Sequence, residues 1–163
     1  LQAVQVDGIA SDPGVSAQSM VAVGVRKVEM EEVFEQSDII SIHAPELPST
    51  YHIVNEASIA SMKDGVILIN TARGTAIDEQ ALAKALLSGK IKTACLDVYD
   101  PEPPCADNPL LKLDNCIMTP HIAGQAANGL QRIGYNCYCQ LLHFLAGERM
   151  QGEITRDMLN HIA

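Results

Sequence analysis

Three side chains with complementary chemistry stand shortly after three apolar, β-rich runs of the chain: Arg73, Glu102 and His121. The carboxyl ends of successive parallel strands lie along one edge of an open α/β sheet, and ligands bind at that edge. A guanidinium can bind a carboxylate bidentately, an imidazole can transfer a proton, and a carboxylate can orient that imidazole. These residue types therefore suit an anionic carbonyl substrate that gains or loses a proton, which is oxidoreductase chemistry.

Local sequence supports each of the three against its ordinary interpretation as a surface charge. Gly74 directly follows Arg73 and permits close approach of the backbone to a ligand. Glu102 lies between Pro101 and Pro103, which restrict the backbone and so fix where the glutamate side chain begins. The apolar runs that precede the three groups are Val66-Ile67-Leu68-Ile69, Thr93-Ala94-Cys95-Leu96-Asp97-Val98 and Cys116-Ile117-Met118.

Strand and helix patterns alternate along the chain, which predicts βαβ units and a parallel sheet. The predicted strands cover residues 6–10, 25–28, 38–42, 66–69, 92–98 and 116–119. Predicted helices cover residues 31–36, 57–62, the segment between the caps Asp78 and Gly89, and about 126–145. The last helix has an apolar stripe at helical spacing, typical of a core or interface: Leu130, Ile133, Cys137, Leu141 and Leu142. We expect a doubly wound, Rossmann-like α/β fold that ends in this long helix.

Composition narrows the class of partner. The net charge of −9 argues against nucleic-acid binding, because phosphate recognition needs clustered Lys and Arg. The longest aliphatic runs are far shorter than a membrane span, so no membrane association is expected. Five cysteines without a CxxC pair predict a reduced, cytoplasmic protein and no metal site.

Several short motifs follow one another in a set order along the chain. They are Ser37-Asp38-Ile39-Ile40-Ser41-Ile42-His43-Ala44-Pro45, Met62-Lys63-Asp64-Gly65, Asn70-Thr71-Ala72-Arg73-Gly74, Asp78-Glu79-Gln80-Ala81-Leu82, Leu96-Asp97-Val98-Tyr99 and Pro120-His121-Ile122-Ala123-Gly124. In order and spacing they resemble the D-isomer-specific 2-hydroxyacid dehydrogenase family, and the resemblance covers essentially the whole chain.

The resemblance implies a nicotinamide-binding domain inserted into a discontinuous substrate domain. Residues 1–125 would be a partial NAD-binding domain, because no G-x-G-x-x-G phosphate loop occurs in the sequence and that loop would precede Leu1. Residues 126–163 would be a crossover helix and a tail that returns toward the substrate domain. The resemblance also implies a homodimer and NAD as cofactor.

The resemblance assigns roles to individual residues. Arg73 would bind the substrate carboxylate, while His121 and Glu102 would form the acid/base couple. Asp12, which is equally suited to a turn before Pro13, would accept the ribose hydroxyls of NAD, and Asp97 would contact the nicotinamide carboxamide. The full set of expected cofactor-binding residues is Asp12, His43, Ala44, Pro45, Thr71, Ala72, Arg73, Asp97, His121, Ala123 and Gly124.

The function favoured by this reasoning is NAD(H)-dependent interconversion of a 2-oxo acid and a (R)-2-hydroxy acid. An NAD-sensing binding protein of the corepressor type keeps the same three groups and stays an alternative. An inactive fragment of the dehydrogenase is a further alternative, since fold alone does not decide activity. We expect the 163-residue polypeptide by itself to bind NADH poorly and to lack turnover.

Overall fold

The computed structural model describes residues 6–125, 128–156 and 158. Within them, six parallel strands form two sheets. The smaller sheet pairs β1 (Gly8–Ala10) with β2 (Val25–Lys27). The larger sheet contains, in chain order, β3 (Ile39–Ile42), β4 (Val66–Asn70), β5 (Ile91–Leu96) and β6 (Cys116–Met118). The parallel pairing confirms the predicted Rossmann-like α/β fold.

Five α-helices connect or follow these strands. They are α1 (Ala17–Ala22), α2 (Met30–Gln36), α3 (Glu56–Ser61), α4 (Glu79–Ser88) and α5 (Gly129–Leu145). Helix α1 was not among the predicted elements. It is a short helix with a single buried residue, Met20, and it begins where the Ser16 hydroxyl accepts a hydrogen bond from the Ser19 N–H at 3.1 Å.

The core of the larger sheet follows from the two-residue period of its strands. In β4, the side chains of Val66, Leu68 and Asn70 are buried, and the intervening residues are only partly buried. Helix α4 covers the sheet with an apolar face that consists of Ala81, Leu82, Ala83, Ala85 and Leu86. Burial of each large aliphatic side chain contributes about 1.5–3 kcal/mol, so this contact fixes α4 against the strands.

The ends of α4 confirm the two predicted caps. The Asp78 carboxylate accepts hydrogen bonds from the N–H groups of Gln80 and Ala81, both at 3.0 Å. At the other end Gly89 has a φ of 78°, in the left-handed region that favours glycine. The start of α4 is therefore set by local sequence, which matters below because Glu79 is its first residue.

Most predicted elements are present with ends displaced by one to three residues. The strand predicted over residues 92–98 runs instead over Ile91–Leu96. The Asp97 N–H still donates to the Asn70 carbonyl at 3.0 Å, and the chain bends at this residue. The long helix starts at Gly129 rather than near residue 126, after Asn128 at the N-cap. Residues 126 and 127 and the tail residues 159–163 lie outside the described part of the chain.

Helix α5 has no buried residue, and most of its residues are exposed. The predicted apolar stripe of this helix therefore does not pack into the core of the described residues. Its large side chains, Leu130, Ile133, Leu141 and Leu142, are all exposed. Within the described residues the stripe is not part of the core, and its use in an interface stays a prediction.

Candidate active site at the carboxyl edge of the sheet

The four strands of the larger sheet end level with one another. Ile42 of β3 pairs with Asn70 of β4, Asn70 pairs with Leu96 of β5, and Leu96 pairs with Met118 of β6. These four are the last residues of their strands. Residues that follow them in sequence consequently leave the sheet at one edge, as the sequence predicted.

At this edge the carboxylate of Glu102 and the imidazole of His121 form a couple. Glu102 Oε1 lies 2.6 Å from His121 Nδ1, and the two side chains are 38% and 51% exposed. An ionised carboxylate only accepts hydrogen bonds, so Nδ1 must carry the proton. The Nε2 atom then accepts a proton in neutral His121 and donates one in the imidazolium. This atom can therefore act as the base or the acid of the couple.

The segment that carries His121 is held by the buried carboxylate of Asp97, which is 3% exposed. Asp97 Oδ1 accepts the Thr119 hydroxyl and the Ile122 N–H (2.9 Å), and Oδ2 accepts the Ala123 N–H (2.8 Å). His121 itself has a φ of 52°, an uncommon conformation for a residue with a side chain. These three bonds around it oppose relaxation of that backbone.

The pKa of Asp97 reflects this arrangement. Burial opposes ionisation, but the hydrogen bonds from the Thr119 hydroxyl and the Ala123 and Ile122 N–H groups, with nearby His121, hold the pKa below its usual value. The ionised form is thus the one that stabilises the loop. Three internal donors already bond this carboxylate. Its direct contact with a nicotinamide carboxamide stays a prediction.

We expect Asp97→Asn to destabilise the protein by about 1–3 kcal/mol, because an amide NH₂ placed at Oδ2 would face the Ala123 N–H. The pKa of Asp97 is lowered on folding, so its contribution is present above the ordinary value of 3.8 and is lost as pH falls through the lower folded value. Denaturant unfolding of both proteins across pH 3–7 measures this difference. Asp107→Asn, at an exposed loop carboxylate, is the control, and equal stability of Asp97→Asn and wild type would contradict the assignment.

Arg73 is positioned by Asn70, a residue that sequence reasoning did not single out. Asn70 is fully buried at the end of β4. Its Oδ1 accepts the Ala72 N–H at 3.0 Å, and its Nδ2 donates to the Arg73 carbonyl at 2.8 Å. The side chain of Arg73 is exposed, and Nη1 donates to the Ala72 carbonyl at 2.8 Å. The guanidinium therefore extends from a backbone turn at the edge of the sheet, and the buried Asn70 amide holds this turn by two hydrogen bonds.

Gly74 places this turn directly against the chain that leaves β5. A Cβ atom on Gly74 would lie 2.0 Å from both the carbonyl carbon and the carbonyl oxygen of Tyr99 and 2.7 Å from the Asp100 nitrogen. No side chain fits there, so close packing against the Tyr99 backbone requires glycine at position 74. This requirement is additional to the predicted approach of a ligand. The backbone beside Arg73 thus contacts the backbone that leads to Glu102.

Tyr99 ties the ends of β5 and β6 together from the same position. Its buried hydroxyl lies 2.9 Å from the Leu96 carbonyl and 2.6 Å from the Thr119 carbonyl. Burial raises the pKa of Tyr99, so the group stays a protonated donor at neutral pH. Thr119 and Tyr99 are two further residues of the edge that sequence reasoning did not assign to the site.

The expected ribose ligand, Asp12, lies in an exposed turn two residues after β1 ends. Its Oδ1 accepts the Gly14 N–H at 2.7 Å, which is the turn role that the sequence also allowed. Among the described residues Oδ2 makes no hydrogen bond, so this oxygen can still accept the hydroxyls of a sugar. This carboxylate acceptor after β1 therefore fits the hydroxyls of a ribose, and the ribose role stays a prediction.

The other expected cofactor residues follow the strands of the larger sheet, at its carboxyl edge. His43 follows β3 directly and its Nε2 lies 2.9 Å from the Ser41 hydroxyl, while the Pro45 carbonyl accepts the Thr50 hydroxyl at 2.5 Å. Ala44 and Ala72 pack against the core. Thr71 is exposed, and a Cβ on Gly124 would meet open space, so the surface beside both is accessible to a ligand.

Metal and membrane features were searched for in the described residues alone. No group of three or more His, Cys, Asp or Glu side chains that could hold a metal ion occurs there. None of the helices there has the length and hydrophobicity needed to cross a bilayer. All five cysteines are free, and burial raises the pKa of the Cys116 thiol to about 11, which makes that group unreactive at neutral pH.

Comparison with known proteins decides the family. Residues 1–123 match the family described as D-isomer specific 2-hydroxyacid dehydrogenase, NAD binding domain. The chain belongs to the D-isomer specific 2-hydroxyacid dehydrogenase family. The resemblance predicted from the motifs is thereby confirmed.

Individual members of the D-isomer specific 2-hydroxyacid dehydrogenase family show how much is shared. The chain is 47% identical over 128 residues to a hydroxypyruvate reductase of Thermotoga maritima, covering 77% of this chain and 41% of the relative. It is 41% identical over 133 residues to a D-3-phosphoglycerate dehydrogenase of Archaeoglobus fulgidus, covering 82% and 25%. The NAD-complexed structure of a family member from Lactobacillus delbrueckii ssp. bulgaricus superposes with a TM-score of 0.82 at 28% identity, covering 94% and 50%. The chain thus spans between a quarter and a half of the length of these relatives.

Proposed function

We propose that this chain carries the NAD-binding and catalytic residues of an enzyme that interconverts a 2-oxo acid and a (R)-2-hydroxy acid. The observation that carries the proposal is the 2.6 Å contact between Glu102 and His121 at the edge where the Arg73 turn also ends. A carboxylate-binding cation at the same edge as an acid/base imidazole matches the two polar ends of a 2-oxo acid. Family membership adds the expectation of hydride chemistry.

His121 is the acid/base group of this proposal. In the direction of reduction, the imidazolium donates its Nε2 proton to the substrate carbonyl oxygen, which becomes the hydroxyl. In the direction of oxidation, neutral His121 accepts that proton at Nε2. Glu102 acts on the other ring nitrogen, where it keeps Nδ1 protonated and stabilises the charged ring.

Arg73 binds and orients the substrate. Its planar guanidinium can donate two parallel hydrogen bonds to the substrate carboxylate, which fixes the plane of the acid and brings the adjacent carbonyl toward His121. The buried amide of Asn70 restricts the turn from which the guanidinium extends. This positioning is the largest contribution that we assign to the chain besides proton transfer.

NAD is the cofactor of the proposal, and when bound it supplies or accepts the hydride. On this chain, Asp12 would hold the ribose, and the segment from His43 to Pro45 would lie along the ribose and pyrophosphate. Thr71, Ala72, Ala123 and Gly124 would line the remaining path at the edge of the sheet, with Asp97 near the carboxamide. The exposed positions of Asp12, His43 and Thr71 support this assignment.

The proposal extends to assembly and location. Residues 126–163 would connect to a substrate domain, and the exposed apolar side chains of α5 would lie in an interface of a homodimer. The five free cysteines support a reducing, cytoplasmic location. The acidic net charge speaks against nucleic acid as a partner.

The test is turnover of the natural full-length protein with NADH and a series of 2-oxo acids whose side chains range from hydrogen to aromatic. We expect NADH oxidation with at least one acid and formation of the (R)-hydroxy acid, determined by chiral chromatography. NADH binding without turnover of any acid would instead favour an NAD-sensing protein. The (S) product would contradict the proposed reaction.

Asp12→Ala tests the cofactor assignment. We expect the KM for NADH to rise by roughly tenfold while the KM for NADPH changes less, because Asp12 both accepts the ribose hydroxyls and repels a 2′-phosphate. Steady-state kinetics with both cofactors measure the ratio. Asp7→Ala, which removes an exposed carboxylate just before β1, is the control. An unchanged NADPH/NADH preference in Asp12→Ala would leave Asp12 as a turn residue alone.

A further inference from the structure

Glu79 joins the two ends of the loop that carries Glu102. Its Oε1 accepts the backbone N–H of Asp100 at 3.1 Å, and its Oε2 accepts the side-chain Nδ2 of Asn108 at 2.5 Å. Residues 100–108 form the whole connection between these two contacts, and Glu102 lies within it. One carboxylate therefore closes this loop at both ends.

The position of Glu79 is itself well determined. It is the first residue of α4, directly after the Asp78 cap, and the apolar face of α4 is buried against the sheet. The half-buried carboxylate extends from a rigid helix instead of from another loop. A group on such an element positions its partners more accurately than a loop residue does.

The Asn108 end of the loop is equally constrained. Asn108 is 7% exposed, and its Oδ1 accepts the Leu110 N–H at 3.0 Å at the start of the 3₁₀ turn Pro109–Lys112. With the oxygen engaged there, the NH₂ group must face Glu79. The two-sided contact thus has a defined direction, with Glu79 as acceptor at both ends.

We propose that Glu79 is a positioning residue for the acid/base chemistry, acting through Glu102 by fixing the loop that presents this carboxylate to His121. The inference rests on the proposed function and adds a residue to it. The Glu102–His121 contact is partly exposed, so water competes for both groups and the loop must keep Glu102 in place. Displacements of about 1 Å in such arrangements can lower rates by up to about 100-fold.

Two substitutions of Glu79 in the natural full-length protein test the inference. Glu79→Ala removes both acceptors, and we expect kcat for 2-oxo acid reduction to fall roughly tenfold or more, with the KM for NADH within about twofold of wild type. Glu79→Gln keeps one acceptor oxygen but places an NH₂ group opposite one of the two donors, so we expect a smaller fall in kcat. Because Glu79→Gln preserves the shape of the residue, it serves if the alanine variant folds poorly.

Glu56→Ala is a matched control. Glu56 is also the first residue of a helix, α3, and its carboxylate forms an exposed ion pair with Lys84 at 3.3 Å. The control therefore removes the same charge from the same helical position without touching the loop. We expect kcat of Glu56→Ala to stay within about twofold of wild type, since an exposed pair contributes little.

A double-mutant cycle separates positioning from general stability. If Glu79 acts through Glu102, Glu79→Ala should lower kcat by less than about twofold in a Glu102→Gln background, although it lowers kcat strongly in wild type. Equal losses in both backgrounds would overturn the inference while wild-type turnover still supports the proposed function. Absence of turnover in wild type would contradict the proposed function itself.

Discussion

Replacement of Arg73 by Lys is expected to lower kcat/KM for the preferred 2-oxo acid by more than about tenfold, which corresponds to a loss of about 1.4 kcal/mol or more of transition-state stabilisation. Lysine keeps the charge but offers a single point of contact, so the carboxylate loses the planar, two-bond recognition that fixes the carbonyl against His121. Steady-state kinetics of the natural full-length protein with NADH measure the effect.

Arg26→Lys provides the matched control for this experiment. Arg26 lies on β2 of the smaller sheet, and its Nη1 binds Glu32 at 2.6 Å, so it is not one of the residues that follow the strands of the larger sheet. We expect its kinetics to equal those of wild type. If Arg73→Lys also keeps wild-type kinetics, Arg73 does not bind the substrate and the proposed orientation of the acid is wrong.

Glu102→Gln is expected to lower kcat for 2-oxo acid reduction by roughly tenfold or more. The amide keeps an acceptor oxygen for Nδ1 of His121, but it lacks the negative charge that supports the ring while Nε2 donates its proton to the substrate. Steady-state kinetics of the natural full-length protein with NADH measure the effect.

A second histidine–glutamate pair gives the control for this experiment. His143 Nδ1 lies 2.6 Å from Glu148 Oε2, the same separation as in the candidate site, but this pair lies at the end of α5. Glu148→Gln should therefore leave kcat unchanged. A Glu102→Gln variant with the kcat of wild type would disprove the acid/base couple.

The fold was predictable because its signals are local and redundant. Apolar runs such as Val66-Ile67-Leu68-Ile69 have few alternatives to a buried strand, and Asp78 and Gly89 mark the ends of α4 through their own backbone chemistry. The order of strand ends then places Arg73, Glu102 and His121 at one edge without knowledge of any distance. The 2.6 Å contact between Glu102 and His121 goes beyond that order and is seen only in the structure.

The supporting residues were not predictable, because their roles depend on contacts between distant segments. Asn70 reads in sequence as a polar residue after a strand, and its buried amide is explained only by the turn that it closes. Glu79 reads as an ordinary acidic residue in the first turn of a helix, and its partners lie 21 and 29 positions away. The exposed stripe of α5 shows the reverse case, since helical periodicity gives the apolar face but not what covers it.

The contact between Gly74 and the Tyr99 backbone has a consequence for how such a site can evolve. The segment that recognises the acid and the segment that leads to the proton-transfer couple touch main chain to main chain, so neither can be remodelled alone. Any change in the Arg73 turn that enlarges or shifts it will also displace the start of the Glu102 loop. We therefore expect changes in substrate preference to arise from surfaces that face this edge, while the edge itself varies little.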